Sequence, residues 1–415
     1  MKIGLTTTSF RWDQGAERFV INLTKGLLKA GQEVHVIGRL EKMNALEQFL
    51  DQLQPEEKRL FNFHRVKTIK ATRYTNLVTY AYAVHKHLKK LDVDIVQGFG
   101  KSLGLDVFRP PTGTHKSFML NLNRRLHLEP CTYQEFSIER RLLFDVAKTI
   151  VVNSNLSKNR ILEVYPGVTT PIKIIPNMVD FTYWQQETAE DQRQEVRKEL
   201  SIPDDAIVYL HVSTNFKNKG VPETLAALKM LENRVSKEVF DKIYLILVGD
   251  NNYKLDSEYA DKIRIFPRTN EVRPYFYAAD ILLHPTLFDS FSNVVVEGLV
   301  CGMPVVTTTM NGAAEAIDHE KSGLIIDSKN AKPLADSMEL LLNETRREEM
   351  KQAASEKSLS YTPDAITNRY LELYKEVLEK DPVRRTDFTV KPWHALTERA
   401  VKKDFEEHFK QLKLN

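Results

Sequence analysis

Short runs of β-branched and aliphatic residues alternate with longer amphipathic stretches along this chain. The first group is a run at residues 2–8, an amphipathic stretch at 17–30 and a second run at 34–38. In the amphipathic stretch the apolar residues recur three or four positions apart, which is the period of one face of an α-helix. The pattern therefore predicts a strand, a helix packed on the sheet, and a second, parallel strand.

The alternation continues through the first half of the chain. It predicts further strands at residues 94–98 and 150–154, and further helices at 77–91 and 157–165. Strands separated by helices form parallel sheets that are covered by helices on both faces. We therefore expect a doubly wound parallel sheet in the N-terminal half.

A second series of strands follows a polar segment at residues 185–194, whose composition is typical of an exposed connection between domains. The predicted strands of this series are 207–212, 243–248, 263–266, 281–284, 305–308 and 324–326. At 415 residues the chain is also too long for a single hydrophobic core. The sequence thus predicts an α/β protein with two Rossmann-like doubly wound domains.

We assign residues 1–180 to an N-terminal domain and residues 195–364 to a C-terminal domain. Residues 365–381 predict a helix that packs back on the N-terminal domain, and residues 382–415 predict a helical tail without a functional assignment. Two α/β domains of similar size form a cleft, and open parallel sheets bind ligands beyond the carboxyl ends of their strands. We expect the functional site at those ends.

The overall composition argues against several classes of protein. A net charge of +3 is too small to indicate nucleic-acid binding, and 42% hydrophobic with 28% charged residues is typical of a soluble globular protein. The two cysteines, Cys131 and Cys301, lie far apart, so neither a disulfide framework nor a zinc site is expected and a reducing cytoplasm fits. No apolar run approaches the roughly 20 residues that span a bilayer.

One stretch of the second half, residues 284–306, combines several features. A proline follows the predicted strand, the acid Asp289 follows the proline, and a second acid, Glu297, lies on the next helix. Residues 302–306 then read Gly-Met-Pro-Val-Val and open the next strand. This arrangement resembles the signature of the retaining GT-B glycosyltransferases of family 4, the glycosyl transferases group 1.

Shorter matches extend the resemblance over about residues 1–380. They are Gly15-Ala16-Glu17-Arg18, Ile175-Pro176-Asn177 and Asn218-Lys219-Gly220. Within the family, residues 98–107 and 215–221 resemble the lipopolysaccharide core glucosyltransferase I subgroup most. The resemblance implies an enzyme, a metal-independent hexosyltransferase without a cofactor, whose donor is a nucleotide-diphosphate sugar such as UDP-glucose or a related hexose. It also implies that residues 1–180 form the acceptor domain and that residues 195–364 form the nucleotide-sugar donor domain.

The resemblance also implies a diphosphate site at the start of the helix that carries Glu297. Ser292 and Asn293 open that helix, and backbone N–H groups at a helix start bind phosphate oxygens. Lys219 adds a point charge to the phosphates. The alternatives are a plain polar helix start and, for Lys219, solvated turn chemistry.

The two acids of the signature have different implied roles. Glu297 accepts hydrogen bonds from the nucleotide ribose in the family, and a structural salt bridge is the alternative. Asp289 stands where the family usually has Glu, which contacts hydroxyls of the donor hexose. The shorter side chain is compatible with a shifted sugar, a different donor or a water-mediated contact.

Three further residues have implied roles at the site: Gly15 and Arg268 in binding the donor, and His115, like Asp289 and Lys219, in catalysis. Gly15 follows the first strand, where the absence of a side chain lets the backbone approach a ligand closely, and the alternative is a turn glycine. His115 lies where many family members place a group near the outer hydroxyls of the sugar, and the alternative is a structural or surface histidine. Arg268 follows a strand near the expected nucleobase, and the alternative is a solvated loop arginine.

The acids of Asp92-Val93-Asp94 have the form by which another glycosyltransferase fold binds a metal. Here they lie at the start of a predicted strand, so they are expected at the end of the sheet opposite the site, without metal-dependent chemistry. In the retaining family the acceptor hydroxyl attacks the face that the diphosphate leaves. The leaving phosphate oxygen then takes the acceptor proton, and no protein nucleophile is needed.

Residues 109–128 combine basic and apolar side chains without acids. The basic residues are Arg109, Lys116, Arg124 and Arg125. Such a segment fits a peripheral contact with the inner face of the cytoplasmic membrane, near a lipid-linked or oligosaccharide acceptor such as lipopolysaccharide core. The alternative is an ordinary acceptor loop with a solvated basic face.

Two other functions are compatible with the same pattern. A nucleotide-sugar epimerase of this architecture would share the nucleotide site but would have no acceptor. A noncatalytic protein that binds nucleotide sugars would also keep the diphosphate site. Turnover with labelled donor distinguishes the three.

Overall fold

The computed structural model describes residues 1–12, 15–40, 43–110, 114, 116, 135, 138–140, 142–184, 189–253, 259–327 and 330–382. These residues form two compact units. The first contains Met1–Pro176 and the chain from Ile366 to Pro382, and the second contains Asn177–Ala365. The basic and helical tail expected at 382–415 lies outside the described residues, apart from Pro382.

A parallel sheet forms the centre of the first unit. Its strands are β1 (Lys2–Thr7), β2 (Glu33–Gly38), β3 (Phe61–Arg65), β4 (Ile95–Gly98), β5 (Val107–Phe108), β6 (Thr149–Val152) and β7 (Ile172–Ile174). The strand order is β3-β2-β1-β4-β5-β6-β7. The helices are α1 (Gly15–Lys29), α2 (Met43–Asp51), α3 (Pro55–Leu60), α4 (Arg73–Leu88) and α5 (Asn155–Val164), with a π-helical turn at Leu142–Val146.

The second unit contains a parallel sheet of the same kind. Its strands are β8 (Ile207–Val212), β9 (Ile243–Val248), β10 (Ile263–Phe266), β11 (Ile281–His284), β12 (Val305–Thr308) and β13 (Gly323–Ile326). The strand order is β10-β9-β8-β11-β12-β13. The helices are α6 (Phe181–Trp184), α7 (Ala189–Glu199), α8 (Val221–Glu232), α9 (Lys237–Asp241), α10 (Arg273–Ala278), α11 (Asn293–Val300), α12 (Ala331–Leu340) and α13 (Glu344–Ser358), with 3-10 turns at Gly312–Ala316 and Leu359–Tyr361.

The prediction of two Rossmann-like parallel sheets is confirmed. Central strands are buried on both faces, as in β9, where four consecutive residues from Leu245 to Val248 are almost inaccessible to solvent. Such strands appear in a sequence as uninterrupted apolar runs. Five of the six strands in the second unit have the predicted bounds. The prediction missed β3, β5 and β7.

The physical reason for these omissions is clearest in β3 and β5. Strand β3 lies at an edge of its sheet, and its sequence alternates aromatic with polar residues. An edge strand has only one neighbour and is partly solvated, so it needs no continuous apolar run. Strand β5 has only two residues, Val107 and Phe108, which is too short for any periodic pattern.

The polar segment at 185–194 was wrongly interpreted as an exposed connection, because residues 189–194 belong to α7. Two arginines of this helix, Arg193 and Arg197, bind opposite oxygens of Asp280 at 2.6 and 2.9 Å. The same carboxylate accepts a hydrogen bond from the backbone N–H of Val208 at 2.7 Å. The helix is therefore polar because it pairs with a carboxylate at the amino ends of β8 and β11, and it is not a linker. Residues 185–188 lie outside the described part.

The last described helix, α14 (Pro363–Lys380), packs on the first unit. A Cβ atom added to Gly26 of α1 would lie 2.1 Å from the Oγ1 atom of Thr367, so the two helices approach closely. The Tyr374 hydroxyl donates to Oε1 of Gln97 in β4 at 2.5 Å, and both side chains are fully buried. This hydrogen bond ties α14 to a central strand of the first unit.

We predict that Tyr374→Phe lowers the free energy of unfolding of the first unit by about 1–3 kcal/mol, because it leaves Oε1 of Gln97 buried without its donor. Denaturation in urea, followed by circular dichroism, measures the change. The double variant Tyr374→Phe with Gln97→Leu should recover part of the loss, since both polar partners are then removed. Tyr82→Phe in α4 is the matched control, because the Tyr82 side chain is 59% exposed. Equal effects of Tyr374→Phe and Tyr82→Phe would contradict the assignment.

Candidate functional site

The sheet of the second unit changes direction of winding between β8 and β11. Strand β8 pairs with β9 on one side and with β11 on the other, so the chain connections leave this point in opposite directions. A crevice forms at the carboxyl ends of two such strands, and ligands of open α/β sheets bind there. Lys219 follows β8 and Asp289 follows β11, so both lie at this point.

Close packing of two loops brings Lys219 and Asp289 together. Gly220 has a φ of +87°, and a Cβ atom at this position would lie 2.1 Å from the carbonyl oxygen of Pro285. The backbone N–H of Leu287 donates to the carbonyl of Asn218 at 3.1 Å. Only glycine fits at residue 220, and its absence of a side chain lets the loop after β8 contact the loop after β11.

Asp289 is held by three donors. Its Oδ2 atom pairs with Nζ of Lys219 at 2.5 Å and accepts a hydrogen bond from the Ser292 hydroxyl at 2.5 Å. Its Oδ1 atom accepts from the backbone N–H of Phe291 at 3.1 Å. An ionised carboxylate has about four acceptor positions, so these contacts leave one for a further donor.

The backbone of Asp289 is anchored as well. Its N–H donates to the carbonyl of Met310, and its carbonyl accepts from the N–H of Gly312, both at 2.9 Å. These bonds attach the loop after β11 to the loop after β12. The carboxylate therefore has a fixed position over the ends of three neighbouring strands.

The charge state of Asp289 follows from its surroundings. Burial alone would raise the pKa of the Asp289 carboxyl, but the charge of Lys219 and the hydrogen bonds from Lys219 and Ser292 outweigh it. The net effect is a pKa below the usual value for aspartate. Asp289 is thus an anion at neutral pH, paired with a cation.

A neutral histidine pair lies beneath this ion pair. Burial, followed by the positive charge of Lys219, lowers the pKa of His284 to about 3, although Asp289 acts in the opposite direction. Burial, with the neighbouring His284, lowers the pKa of His211 well below its usual value. The two rings stack with centroids 5.6 Å apart. The floor of the site is therefore polar but uncharged.

The tautomer of His284 follows from its partner. Its Nε2 atom lies 2.9 Å from the hydroxyl oxygen of Ser292, and that hydroxyl gives its only proton to Asp289. Nε2 must then carry the hydrogen and donate to Ser292. Ser292 links His284 to Asp289, and its side chain does not cap the helix that it precedes.

Helix α11 begins directly at this site. Ser292 is its N-cap residue, and the backbone N–H of Ser292 donates to Oδ1 of Asn311 at 3.2 Å. The side chain of Asn293 accepts from Nδ2 of Asn177 at 2.7 Å. Glu297 is partly exposed and lies one turn after Asn293, on the same face of α11. The start of the helix and both acids of the sequence motif are thus brought to one side of the sheet.

The other predicted site residues are Arg268, Gly15 and His115. Arg268 follows β10 at the same end of the sheet, where it is exposed and its N–H donates to Oδ1 of Asn251 at 2.6 Å. Gly15 belongs to the first unit and is the exposed first residue of α1, whereas the sequence had predicted a loop position. His115 lies outside the described residues.

The sequence did not identify the roles of Asn311, Asn177 and His284. Asn311 is fully buried, accepts from the N–H groups of Ser292 and Ala313, and donates to Thr307 at 3.0 Å. Its one signal in the sequence is an Asn-Gly pair after a strand, which predicts a turn but no partner. Asn177 and His284 are part of the sequence motifs, but their contacts form only when the loops fold together.

The prediction for residues 109–128 needs a correction. Arg109 is 2% exposed, and its guanidinium lies 3.9 Å from the centre of the Phe19 ring. Lys116 is 3% exposed, and its Nζ donates to the carbonyl of Val164 at 3.2 Å. Neither of these two basic side chains is available to a membrane surface. Arg124 and Arg125 lie outside the described residues.

The pair Asp92 and Asp94 lies at the amino ends of β1 and β4. Asp92 forms an ion pair with Nζ of Lys2 at 2.6 Å, and Asp94 accepts from the backbone N–H of Lys2 at 2.8 Å. This is the end of the sheet where the sequence predicted it. Among the described residues, no group of three or more His, Cys, Asp or Glu side chains is arranged to hold a metal ion.

Two protein families match the chain, one in each half. Residues 14–183 match Glycosyltransferase Family 4, and residues 192–357 match Glycosyl transferases group 1. Together the two matches cover most of the chain, and they confirm the resemblance found in residues 284–306.

The sequence identity to individual relatives is low. The lipopolysaccharide glucosyltransferase WaaG of Escherichia coli is 26% identical over 294 residues, which are 67% of this chain and 73% of that protein. The D-inositol 3-phosphate glycosyltransferase of Salinispora tropica is 23% identical over 258 residues, which are 58% of this chain. The match spans 54% of that second relative, about half of its length.

Solved structures share the fold over nearly the whole chain. The crystal structure of WaaG matches this chain with a TM-score of 0.67 at 18% identity. The match covers 90% of this chain and 99% of the WaaG chain. The structure of Anabaena Alr3699/HepE in complex with UDP-glucose matches with a TM-score of 0.66 at 17% identity. That match covers 91% of this chain and 100% of the HepE chain. At these identities the similarity establishes the GT-B fold. Within the described ranges, none of the helices is long and apolar enough to cross a membrane.

The Lys219–Asp289 pair predicts a defined dependence of stability on pH. At pH 7, Lys219→Met should lower the free energy of unfolding of the second unit by about 1–3 kcal/mol, since each side chain is only 22% exposed and the anion loses its partner. Because the pKa of Asp289 is lower in the folded state, this stabilisation is present above the unfolded value of about 4. The difference in free energy of unfolding between Lys219→Met and the unsubstituted protein should shrink as pH falls below that value.

The fluorescence of Trp184, which is buried in the second unit, follows this unfolding when Trp12 and Trp393 are replaced by Phe. Lys332→Met is the matched control, because the ion pair of Lys332 with Asp336 is largely exposed. It should change the free energy of unfolding by less than about 1 kcal/mol. The free energy of unfolding of Lys219→Met should approach that of the unsubstituted protein as pH falls. If the difference stays constant from pH 7 to below the folded-state pKa of Asp289, the ion pair is not its origin.

Proposed function

Since the chain belongs to the glycosyl transferases group 1 family, we propose that it transfers a hexose from a UDP-sugar, with retention of configuration, to a cell-envelope glycan acceptor. The acceptor that we propose is a lipopolysaccharide core. The observation that carries the donor half of this proposal is the convergence of Lys219, Asp289 and the start of α11 at the winding change of the second sheet.

The diphosphate is proposed to bind at the start of α11. The first N–H groups of a helix have no partners within it, and the helix dipole adds positive potential there. Lys219 supports this role, because its ammonium group has three donors and Asp289 takes one of them. The two others can bind phosphate oxygens while the ion pair is kept. Asn293 contributes through its position at the first turn of the helix.

Glu297 is proposed to accept hydrogen bonds from the ribose hydroxyls. It is one turn beyond the helix start, on the face that Asn293 shares, so it lies about one helical pitch, roughly 5 Å, farther along α11. That spacing suits a nucleotide whose phosphates lie at the helix start. Arg268 is proposed to contact the nucleobase, because it is exposed at the same end of the sheet.

Asp289 is proposed to orient the donor hexose. Its lowered pKa keeps it an acceptor, and one of its acceptor positions is available for a sugar hydroxyl. The anchored backbone fixes this contact although the side chain is shorter than the glutamate of the family. On the resemblance alone, Gly15 is proposed to bind the donor, and His115 is proposed to act in catalysis near the outer hydroxyls of the sugar.

The chemistry proposed for this site is stabilisation of a leaving group. As the anomeric bond breaks, negative charge develops on the diphosphate, and Lys219 with the start of α11 can stabilise it. The acceptor hydroxyl attacks from the same face, and a leaving phosphate oxygen takes its proton, so no protein nucleophile is required. We propose that the transfer is independent of metal, because these groups already supply positive charge.

The acceptor proposal comes from the relatives. WaaG is by its name a lipopolysaccharide glucosyltransferase, and it matches two thirds of this chain. The relatives named D-inositol 3-phosphate glycosyltransferase support a hydroxyl acceptor in general. We propose a cytoplasmic enzyme that works on the inner face of the cytoplasmic membrane, where a lipid-linked glycan would be available.

The test is incubation of the protein with a panel of radiolabelled UDP-hexoses and truncated lipopolysaccharide core, with and without a chelator. We expect one labelled sugar to enter the glycan, with release of UDP, an unchanged anomeric configuration by NMR, and no effect of the chelator. Conversion of the UDP-sugar without transfer would instead identify an epimerase. Binding of the UDP-sugar without turnover would identify a noncatalytic protein.

Glu297→Gln tests the nucleotide assignment. The substitution removes a charged acceptor for the ribose hydroxyls, so the KM for the donor should rise about 10- to 100-fold, with a smaller change in kcat. Steady-state kinetics at saturating acceptor measures both constants. Glu348→Gln is the control, because Glu348 is exposed on α13. An unchanged KM in Glu297→Gln would remove Glu297 from the site.

A further inference from the structure

The stretch from residue 58 to residue 91 contains nine Lys or Arg residues and no Asp or Glu. It runs from the end of α3 through the edge strand β3 and along α4, all within the first unit. Over the whole chain, 59 Lys and Arg residues are nearly balanced by 56 Asp and Glu residues. This stretch is not balanced in that way.

Most of these basic side chains are also exposed and unpaired. Arg73 is the exception, since it lies 3.2 Å from Glu135. In the described part of the chain, the others are exposed and form no ion pair: Lys58, Arg59, Arg65, Lys67, Lys70, Lys86, Lys89 and Lys90. Their charges are therefore available to a partner.

Two exposed hydrophobic residues lie among these charges. Ile69 is 60% exposed and Tyr82 is 59% exposed. The backbone N–H of Ile69 donates to Oγ1 of Thr79 at 3.0 Å, so the segment after β3 lies against α4 less than one turn before Tyr82. Ile69 and Tyr82 thus lie within about one helical turn of each other along α4.

The orientation of α4 places basic residues beside them. Tyr80, Val84 and Leu88 are buried against the core of the first unit. Tyr82, Lys86 and Lys89 follow the helical period on the opposite side and are exposed. We call the surface formed by Lys67, Ile69, Lys70, Tyr82, Lys86 and Lys89 the basic face.

We propose that the basic face binds an anionic lipid surface. Lysines near such a surface are attracted to anionic headgroups, and exposed aliphatic and tyrosine side chains enter the boundary between headgroups and acyl chains. The basic face provides both. Single-stranded nucleic acids are bound by rows of aromatic residues on which bases stack, and the basic face has only Tyr82 for that purpose.

This contact is distinct from the one expected at residues 109–128. There, Arg109 and Lys116 are buried, whereas the lysines of the basic face are exposed. The inference does not depend on the donor, the reaction or the acceptor. A failure of membrane binding would leave the proposed transferase activity intact, and the reverse is also true.

Co-sedimentation with vesicles tests the inference. The complete protein should bind vesicles that contain about one third phosphatidylglycerol and should not bind pure phosphatidylcholine, and binding should weaken as salt shortens the screening length. Lys67→Gln, Lys70→Gln and Lys86→Gln together should weaken partitioning on the order of a hundred-fold, since each lysine contributes about five-fold. Ile69→Ser with Tyr82→Ser should weaken it without changing the net charge.

A matched triple variant controls for overall charge. Lys198→Gln, Lys321→Gln and Lys375→Gln remove the same charge from exposed positions elsewhere and should leave partitioning unchanged. Circular dichroism melting checks that every variant is folded. Equal losses in the two triple variants would overturn the proposal, as would equal binding to both kinds of vesicle. Displacement from anionic vesicles by a small excess of RNA would identify nucleic acid as the partner instead.

Discussion

The ion pair of Lys219 with Asp289 organises the functional end of the second unit. Its two residues are 70 positions apart in sequence and follow neighbouring strands on either side of the point where the sheet changes direction. Two mostly buried charges are stable only when they are paired and further hydrogen bonded. That requirement explains the glycine at residue 220, the anchored backbone of Asp289 and the hydroxyl of Ser292, each of which holds one partner in place.

The histidines beneath the pair fit the same requirement. A protonated His284 would place a second cation next to Lys219 in a buried setting, so burial and Lys219 keep it neutral. A neutral imidazole can donate to Ser292, which then donates to Asp289. The chain of donors ends on the carboxylate, and α11 begins directly after Ser292, the last donor of that chain. The site thus offers one oriented anion, one cation with unused donors, and a helix terminus.

The first unit illustrates how one residue type takes opposite roles in a fold. Arg109 follows β5 and lies against the ring of Phe19, and Lys116 donates to a backbone carbonyl, so their charges are used internally. Lys67, Lys70 and Lys86 form no ion pair with the residues that the structure describes, and they remain exposed. In both segments the sequence shows basic residues among apolar ones. The segments differ in whether distant parts of the chain supply a ring or a carbonyl to each basic side chain.

The sequence by itself determined the two parallel sheets, most of their strands and the family, because strands buried on both faces leave continuous apolar runs and because the residues at 284–306 are contiguous. It also identified Lys219, Asp289 and Glu297 as candidates. The tertiary structure decided which of these residues meet, the tautomer of His284, the role of Asn311, and the burial of Arg109. These depend on contacts between segments far apart in the chain, and periodicity records only which side of its own element a residue faces.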